Sequence, residues 1–128
     1  MGKINEFDPV LYPYKLWITY DATPEELNEK FPDGDEFGEH FSEFPSDAGA
    51  VTSMVADGET GEDGILIRFL NRKNVNFGSV CHEAGHFALC LWNFINAKVM
   101  FDCQEPFCYA LEFVGECCEK VRKGDVLS

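Results

Sequence analysis

The chain has 128 residues, the size of one ordinary domain, and 45% hydrophobic residues supply it with a core. Its 10 basic and 23 acidic residues give a formal net charge of −13, which repels phosphate backbones and anionic lipid and so excludes general nucleic-acid binding and attraction to such membranes. No window approaches the roughly 18 apolar residues of a spanning helix, and Met1–Glu6 lacks the apolar run of a secretory signal, so a soluble cytoplasmic protein is expected.

In chain order, residues 13–20 are rich in aromatic and β-branched side chains and predict a first strand. Thr23-Pro24-Glu25-Glu26 then follows the grammar of a helix start, with Thr23 as cap, Pro24 in the first turn and Glu26 closing a capping box. That helix is expected to end near Phe31. Residues 32–49 read as a long acidic loop pinned by Phe37, Phe41 and Phe44. Asp33, Asp35 and Glu36 do not have EF-hand spacing, so a solvated loop is expected rather than a calcium site, with His40 on its surface.

Ala50–Ala56 and residues 65–70 predict two further strands, joined by the glycine-rich and acidic turn of residues 57–64 into a hairpin. A helix over Asn76–Ile95 carries apolar residues round nearly its whole circumference, which predicts burial on most sides. Gly85 weakens a helix interior by about 1 kcal/mol relative to alanine, which is either offset by close approach of another backbone or simply tolerated. A last helix over Cys103–Lys123, capped by Asp102, tolerates Pro106 in its first turn. The expected fold is a single α+β domain over residues 1–128 in the order β-α-β-β-α-α, with a three-stranded sheet packed on helices. All six cysteines lie between Cys81 and Cys118, mostly in helical segments, and no CxxC pair occurs; reduced thiols are expected rather than disulfides or a zinc knuckle.

The chemistry-bearing pattern is His82-Glu83-Ala84-Gly85-His86, an HExxH motif inside the predicted apolar helix. Histidines four apart project from one helical face, so both imidazoles can reach one ion. Glu83 lies about 100° round the helix and can approach a water rather than the metal. Neutral imidazoles suit Zn²⁺, which acidifies bound water, and Glu83 is the candidate general base. A catalytic zinc usually takes three protein ligands. Candidates for the third are Glu105, Glu112 and Glu116, with Cys103 and Cys108 further options; Glu105 also suits an N-terminal capping role. Glu105, Tyr109, Glu112 and Glu116 share one face of the last helix, opposite the apolar arc of Phe107, Ala110, Leu111, Val114, Cys118 and Val121.

An HExxH motif followed by a helical glutamate resembles the gluzincin arrangement of zinc metallopeptidases. Over most of its length the chain also resembles a family of short proteins from bacteriophages and mobile elements. The resemblance is carried by Phe7-Asp8-Pro9, Lys15-Leu16-Trp17, residues 64–69, residues 80–86, Phe94-Ile95-Asn96, residues 104–110 and the Cys117-Cys118 region, and is weakest over 21–60. It implies a zincin-like domain with His82, His86 and Glu105 as Zn²⁺ ligands and Glu83 as base, hydrolysing a peptide or protein substrate. Tyr109 is a candidate for stabilising the oxyanion. In zincin folds an edge strand near the active helix takes substrate by strand addition, a part that residues 65–70 could play. The alternative is a catalytically inactive protein that keeps a metal for its structure, or an acidic partner-binding protein of a mobile element.

Overall fold

A computed structural model describes residues 2–44 and 47–124. Four strands, β1 (Asn5–Phe7), β2 (Lys15–Thr19), β3 (Ala50–Ala56) and β4 (Asp63–Phe69), form one mixed sheet in the order β1-β2-β4-β3. Helices α1 (Pro24–Lys30), α2 (Phe77–Phe94) and α3 (Glu105–Lys123) complete a small α+β domain. β1 pairs antiparallel with β2, β2 parallel with β4, and β3 antiparallel with β4. The sheet therefore has four strands rather than three, and the order is β-β-α-β-β-α-α. The added strand is three residues long, too short for a periodic pattern, and exists through its pairing with Leu16–Ile18.

The two inner strands are buried on both faces, which is why they read as near-continuous apolar runs. Leu16, Ile18, Ile65, Ile67 and Phe69 face a core shared with α2 and α3. Trp17, Leu66 and Val55 face the other way, toward Leu27 of α1 and Phe31. Each such side chain contributes about 1.5–3 kcal/mol of transfer free energy when buried. Trp17 is held further by a 2.9 Å hydrogen bond from its Nε1 to Glu6 and by the edge of the Phe31 ring at 5.0 Å.

Local signals act where they were read. Thr23 caps α1 in a full capping box with Glu26, whereas Asn76, expected as the first residue of α2, stands outside it and caps it by accepting from the Ser79 amide at 3.0 Å. α3 differs at its start: it begins at Glu105 behind Gln104, which makes no side-chain cap, so Asp102 is not the cap. The β3–β4 turn is tied to α1 by the Lys30–Asp57 ion pair at 3.0 Å and by the Gly58 amide donating to the Lys30 carbonyl. Phe41 packs against Phe31, and Arg68 stacks over Phe44 at 4.9 Å, but Phe37 is 80% exposed and pins nothing.

α2 and α3 form an antiparallel hairpin, set by Trp92 against Phe107 and Phe87 against Phe113. Tyr14 stacks on Phe94 at 4.6 Å and closes the far end of α2 against the β1–β2 connection. α2 is not buried all round. Ala84, Phe87, Ala88 and Leu91 face the core, whereas His82, His86, Leu89 and Asn93 form an outward stripe. Among the described residues, no helix is long and apolar enough to cross a membrane.

Two glycines predict opposite outcomes. No atom outside the helix's own backbone lies within 4 Å of where a Cβ at Gly85 would stand, so close approach of another backbone is absent. Gly85→Ala should raise stability by about 0.5–1 kcal/mol in urea unfolding. At Gly64 a Cβ would lie 2.5 Å from the Lys15 carbonyl oxygen and from the Trp17 ring, so Gly64→Ala should lower stability by about 2 kcal/mol or more. The Asp57 carboxyl predicts a pH effect. Burial alone would raise its pKa, but the Lys30 ion pair and the Glu59 and Thr60 amides outweigh burial and hold it below its ordinary value. A lowered native pKa contributes stability above the ordinary carboxylate range that is lost as pH falls through the native value. Asp57→Asn should cost about 1–2 kcal/mol at neutral pH and flatten the acid limb of a stability-against-pH curve.

Candidate functional site

The site is built on the first half of α2, where its outward stripe meets the sheet margin. His82 and His86 lie one turn apart, with their Nε2 atoms 3.2 Å from each other and their rings edge to face. The His82 side chain is 69% exposed. This corrects the expectation of two buried imidazoles: the roll of α2 sends the histidines out and Glu83 in.

Glu83 is 4% exposed, and its burial would be costly without a partner. The Thr52 hydroxyl of β3 donates to Glu83 Oε1 at 2.7 Å. The second oxygen, Oε2, stands 3.9 Å from His82 Nε2, too far for a direct bond and near enough for a shared water. Thr52 was not singled out from the sequence. Its β-strand position was legible, but nothing local indicates that β3 runs beside the helix.

β3 is the outer strand of the sheet on this side, and β4 lies inside it. Residues 65–70 therefore cannot accept an added strand, because both sides of β4 are already paired. The outer edge beside the helix belongs to Ala50–Ala56.

The imidazole pair fits half of a zinc site. The 3.2 Å separation is that of a hydrogen bond between the two rings, and it is also close to the roughly 3.3 Å between two nitrogens bound at about 2.0–2.1 Å to one tetrahedral zinc. The structure does not bring Glu105 to the pair. Trp92 packs on Phe107, so Glu105 lies past the Trp92 level of the hairpin, whereas His86 and His82 lie about 9 and 15 Å back along α2. Cys103 and Cys108 belong to that distant end as well, Tyr109 lines a cleft with Leu91, Phe87 and Phe113, and all three are exposed. Phe113 against Phe87 puts Glu112 and Glu116 nearer the level of the histidines, both exposed on α3. Among the described residues no group of three or more His, Cys, Asp or Glu side chains is assembled for a metal ion.

The cysteines divide by burial. Burial is the main cause that pushes the Cys117 and Cys118 thiols up to about 12; for Cys118 the neighbouring Cys117, Glu83 and Glu119 add to it. These two remain protonated and are poor nucleophiles and poor metal ligands. Native-state labelling with a thiol reagent at pH 8 should modify the exposed Cys81, Cys103 and Cys108 quickly, Cys90 slowly, and Cys117 and Cys118 only after unfolding, as mass spectrometry of the labelled peptides would show. Comparison with family models, with curated proteins and with solved structures found no match to this chain, so its functional reading rests on its own residues and their geometry.

Proposed function

We propose that the chain is a minimal zincin-like, zinc-dependent metallopeptidase in which His82 and His86 hold the metal and Glu83 is the general base. The observation that carries this reading is the convergence of the two imidazole nitrogens at 3.2 Å beside a buried, hydroxyl-anchored carboxylate. Zinc, when bound, supplies a Lewis acid for the scissile carbonyl and acidifies water toward neutral pH. Glu83 takes the proton of the attacking water at Oε2 and returns it to the leaving amine. Thr52 is a positioning residue: it holds Oε1 and leaves Oε2 free. The peptide lies along the outer edge of β3, where main-chain pairing carries it past Thr52 and so past Glu83.

The third ligand on this reading is a carboxylate of α3. The motif resemblance points to Glu105, while the Phe87–Phe113 contact is the ground for considering Glu112 or Glu116 instead. A second reading, a metal-binding structural or partner-binding protein without catalysis, draws on the exposure of the histidine pair and on the absence, among the described residues, of a third ligand grouped with them.

Metal content and cleavage of fluorescein-labelled casein test both readings on the chain purified without chelator. Near-stoichiometric zinc by plasma mass spectrometry is expected, abolished in His82→Ala/His86→Ala. Zinc reduced in one of Glu105→Ala, Glu112→Ala and Glu116→Ala identifies the third ligand. Glu83→Gln should keep its zinc and lose about 10²–10⁴-fold in rate. Thr52→Val should keep its zinc and lose about tenfold or more in kcat with KM little changed. Absence of zinc even after zinc addition overturns the metal site. Bound zinc with no Glu83-dependent cleavage favours the second reading.

A further inference from the structure

The outer edge of β3 is not free. The Leu70 amide donates to the Gly49 carbonyl at 2.9 Å, so Gly49 and Leu70 are a hydrogen-bonded antiparallel pair. The pairing register then places the bonded pairs at Val51, Ser53 and Val55. The amides and carbonyls of Thr52 and Met54 consequently point away from β4, toward the outside of the sheet. Among the described residues, one of these outward groups meets a side chain: the Met54 amide donates to Glu36 Oε2 at 2.8 Å.

Glu36 sits on a segment that is folded on itself. The Asp35 carboxylate accepts from the amides of Phe37 and Glu39 at 2.9 and 3.0 Å, and the Asp35 amide donates to the Glu39 carbonyl. Gly34 has a φ of +78°, and a Cβ there would run into the Glu39 carbonyl. Both ends are anchored on the far face of the sheet. Phe31 is fully buried, and Phe41 is clasped by two hydrogen bonds with Asn28, at 2.8 and 2.7 Å. The segment 32–40 is thus a preformed strap, fixed at both ends. It reaches round the sheet margin, where Glu36 takes the place of a neighbouring strand's carbonyl. Between the strap and the strand lies a cleft of about 330 Å³ lined by Asp35, Glu36, Met54 and Asn93, among others.

We propose that Glu36 is a latch: its carboxylate closes the β3 edge, and an extended peptide enters by taking the Met54 amide from it. The inference rests on the reading of β3 as the peptide-binding edge. Met54 and Thr52 are two residues apart on one strand, about 7 Å, so a peptide paired at Met54 also passes the residue that holds Glu83. Release of the latch breaks one exposed side-chain bond and leaves the strap's internal bonds and both anchors in place, so the latch opens without unfolding.

The test uses the full zinc-supplemented chain with fluorescein-labelled casein as the extended-chain probe. Binding is read by anisotropy in a Glu83→Gln background, and cleavage is read with Glu83 intact. Glu36→Ala should bind casein about tenfold more tightly, the scale of one lost charged hydrogen bond. Glu36→Gln keeps an oxygen for the Met54 amide and should bind as the parent does. Glu39→Ala removes the same charge from the strap without touching the latch and should also bind as the parent does. Hydrogen exchange should show the Met54 amide unprotected in free Glu36→Ala and protected again once casein is bound. Equal binding by Glu36→Ala and the parent, equal tightening by Glu39→Ala, or no binding by any variant overturns the latch. Tight binding by Glu36→Ala with Met54 protection, but no cleavage by the Glu83-intact protein, leaves the latch standing and removes the peptidase reading.

Discussion

A carboxylate set between a helix and the margin of a sheet is the constraint on which the candidate site depends. Glu83 is nearly inaccessible to water, and a buried carboxylate is tolerable only when its oxygens have partners. The Thr52 hydroxyl supplies one at 2.7 Å. That bond joins α2 to β3 and acts with the burial of Ala84, Phe87, Ala88 and Leu91, which sets the same roll of the helix. With Glu83 turned inward, the 3.6-residue period leaves His82 and His86 no choice but the outer stripe. The exposure of the two imidazoles and the burial of the glutamate are therefore one fact, expressed at positions about 100° apart.

The sheet makes this possible by being covered on both faces. α2 and α3 pack on one face, while α1, Phe31 and Phe41 cover the other. Two inner strands buried on both sides leave β3 as the margin beside the helix. The acidic segment after α1 then has to pass that margin on its way from the far face to β3. Its carboxylates are put to local use: Asp35 satisfies two amides of its own loop, and Glu36 satisfies an amide of the strand. An acidic loop that reads from composition as solvated is thus organised by its own side chains.

The helical hairpin decides what stands opposite the histidines. Two aromatic contacts, Trp92 on Phe107 and Phe87 on Phe113, set its register. Each residue of shift would move α3 by about 1.5 Å along its partner, so a carboxylate at the start of α3 and one two turns later are not equivalent positions. Large aromatic rings make this register costly to slip, because each buries a large apolar area in a specific geometry.

What the sequence by itself determined is what lies within a few residues. The capping box of Thr23 and Glu26, the β3–β4 hairpin, the helical spans and the spacing that converges His82 with His86 all follow from contacts at separations of three or four residues, from strand alternation or from a short turn. The buried arc of α3, with Ala110, Val114, Cys118 and Val121 inside and Glu112 and Glu116 outside, was legible for the same reason. What only the tertiary structure decided depends on partners far along the chain. β1 exists because Leu16–Ile18 pair with it. β4 is central and β3 peripheral because β2 joins the sheet on the other side of β4. An apolar helix became two-sided because the sheet and α3 cover only the face that carries Ala84, Phe87, Ala88 and Leu91, where Thr52, 31 residues away, also meets Glu83. The distance of Glu105 from the histidines follows from aromatic packing between helices, which no periodicity within either helix encodes. Hydrophobic pattern tells a chain what to bury, and pairing between distant segments decides against what.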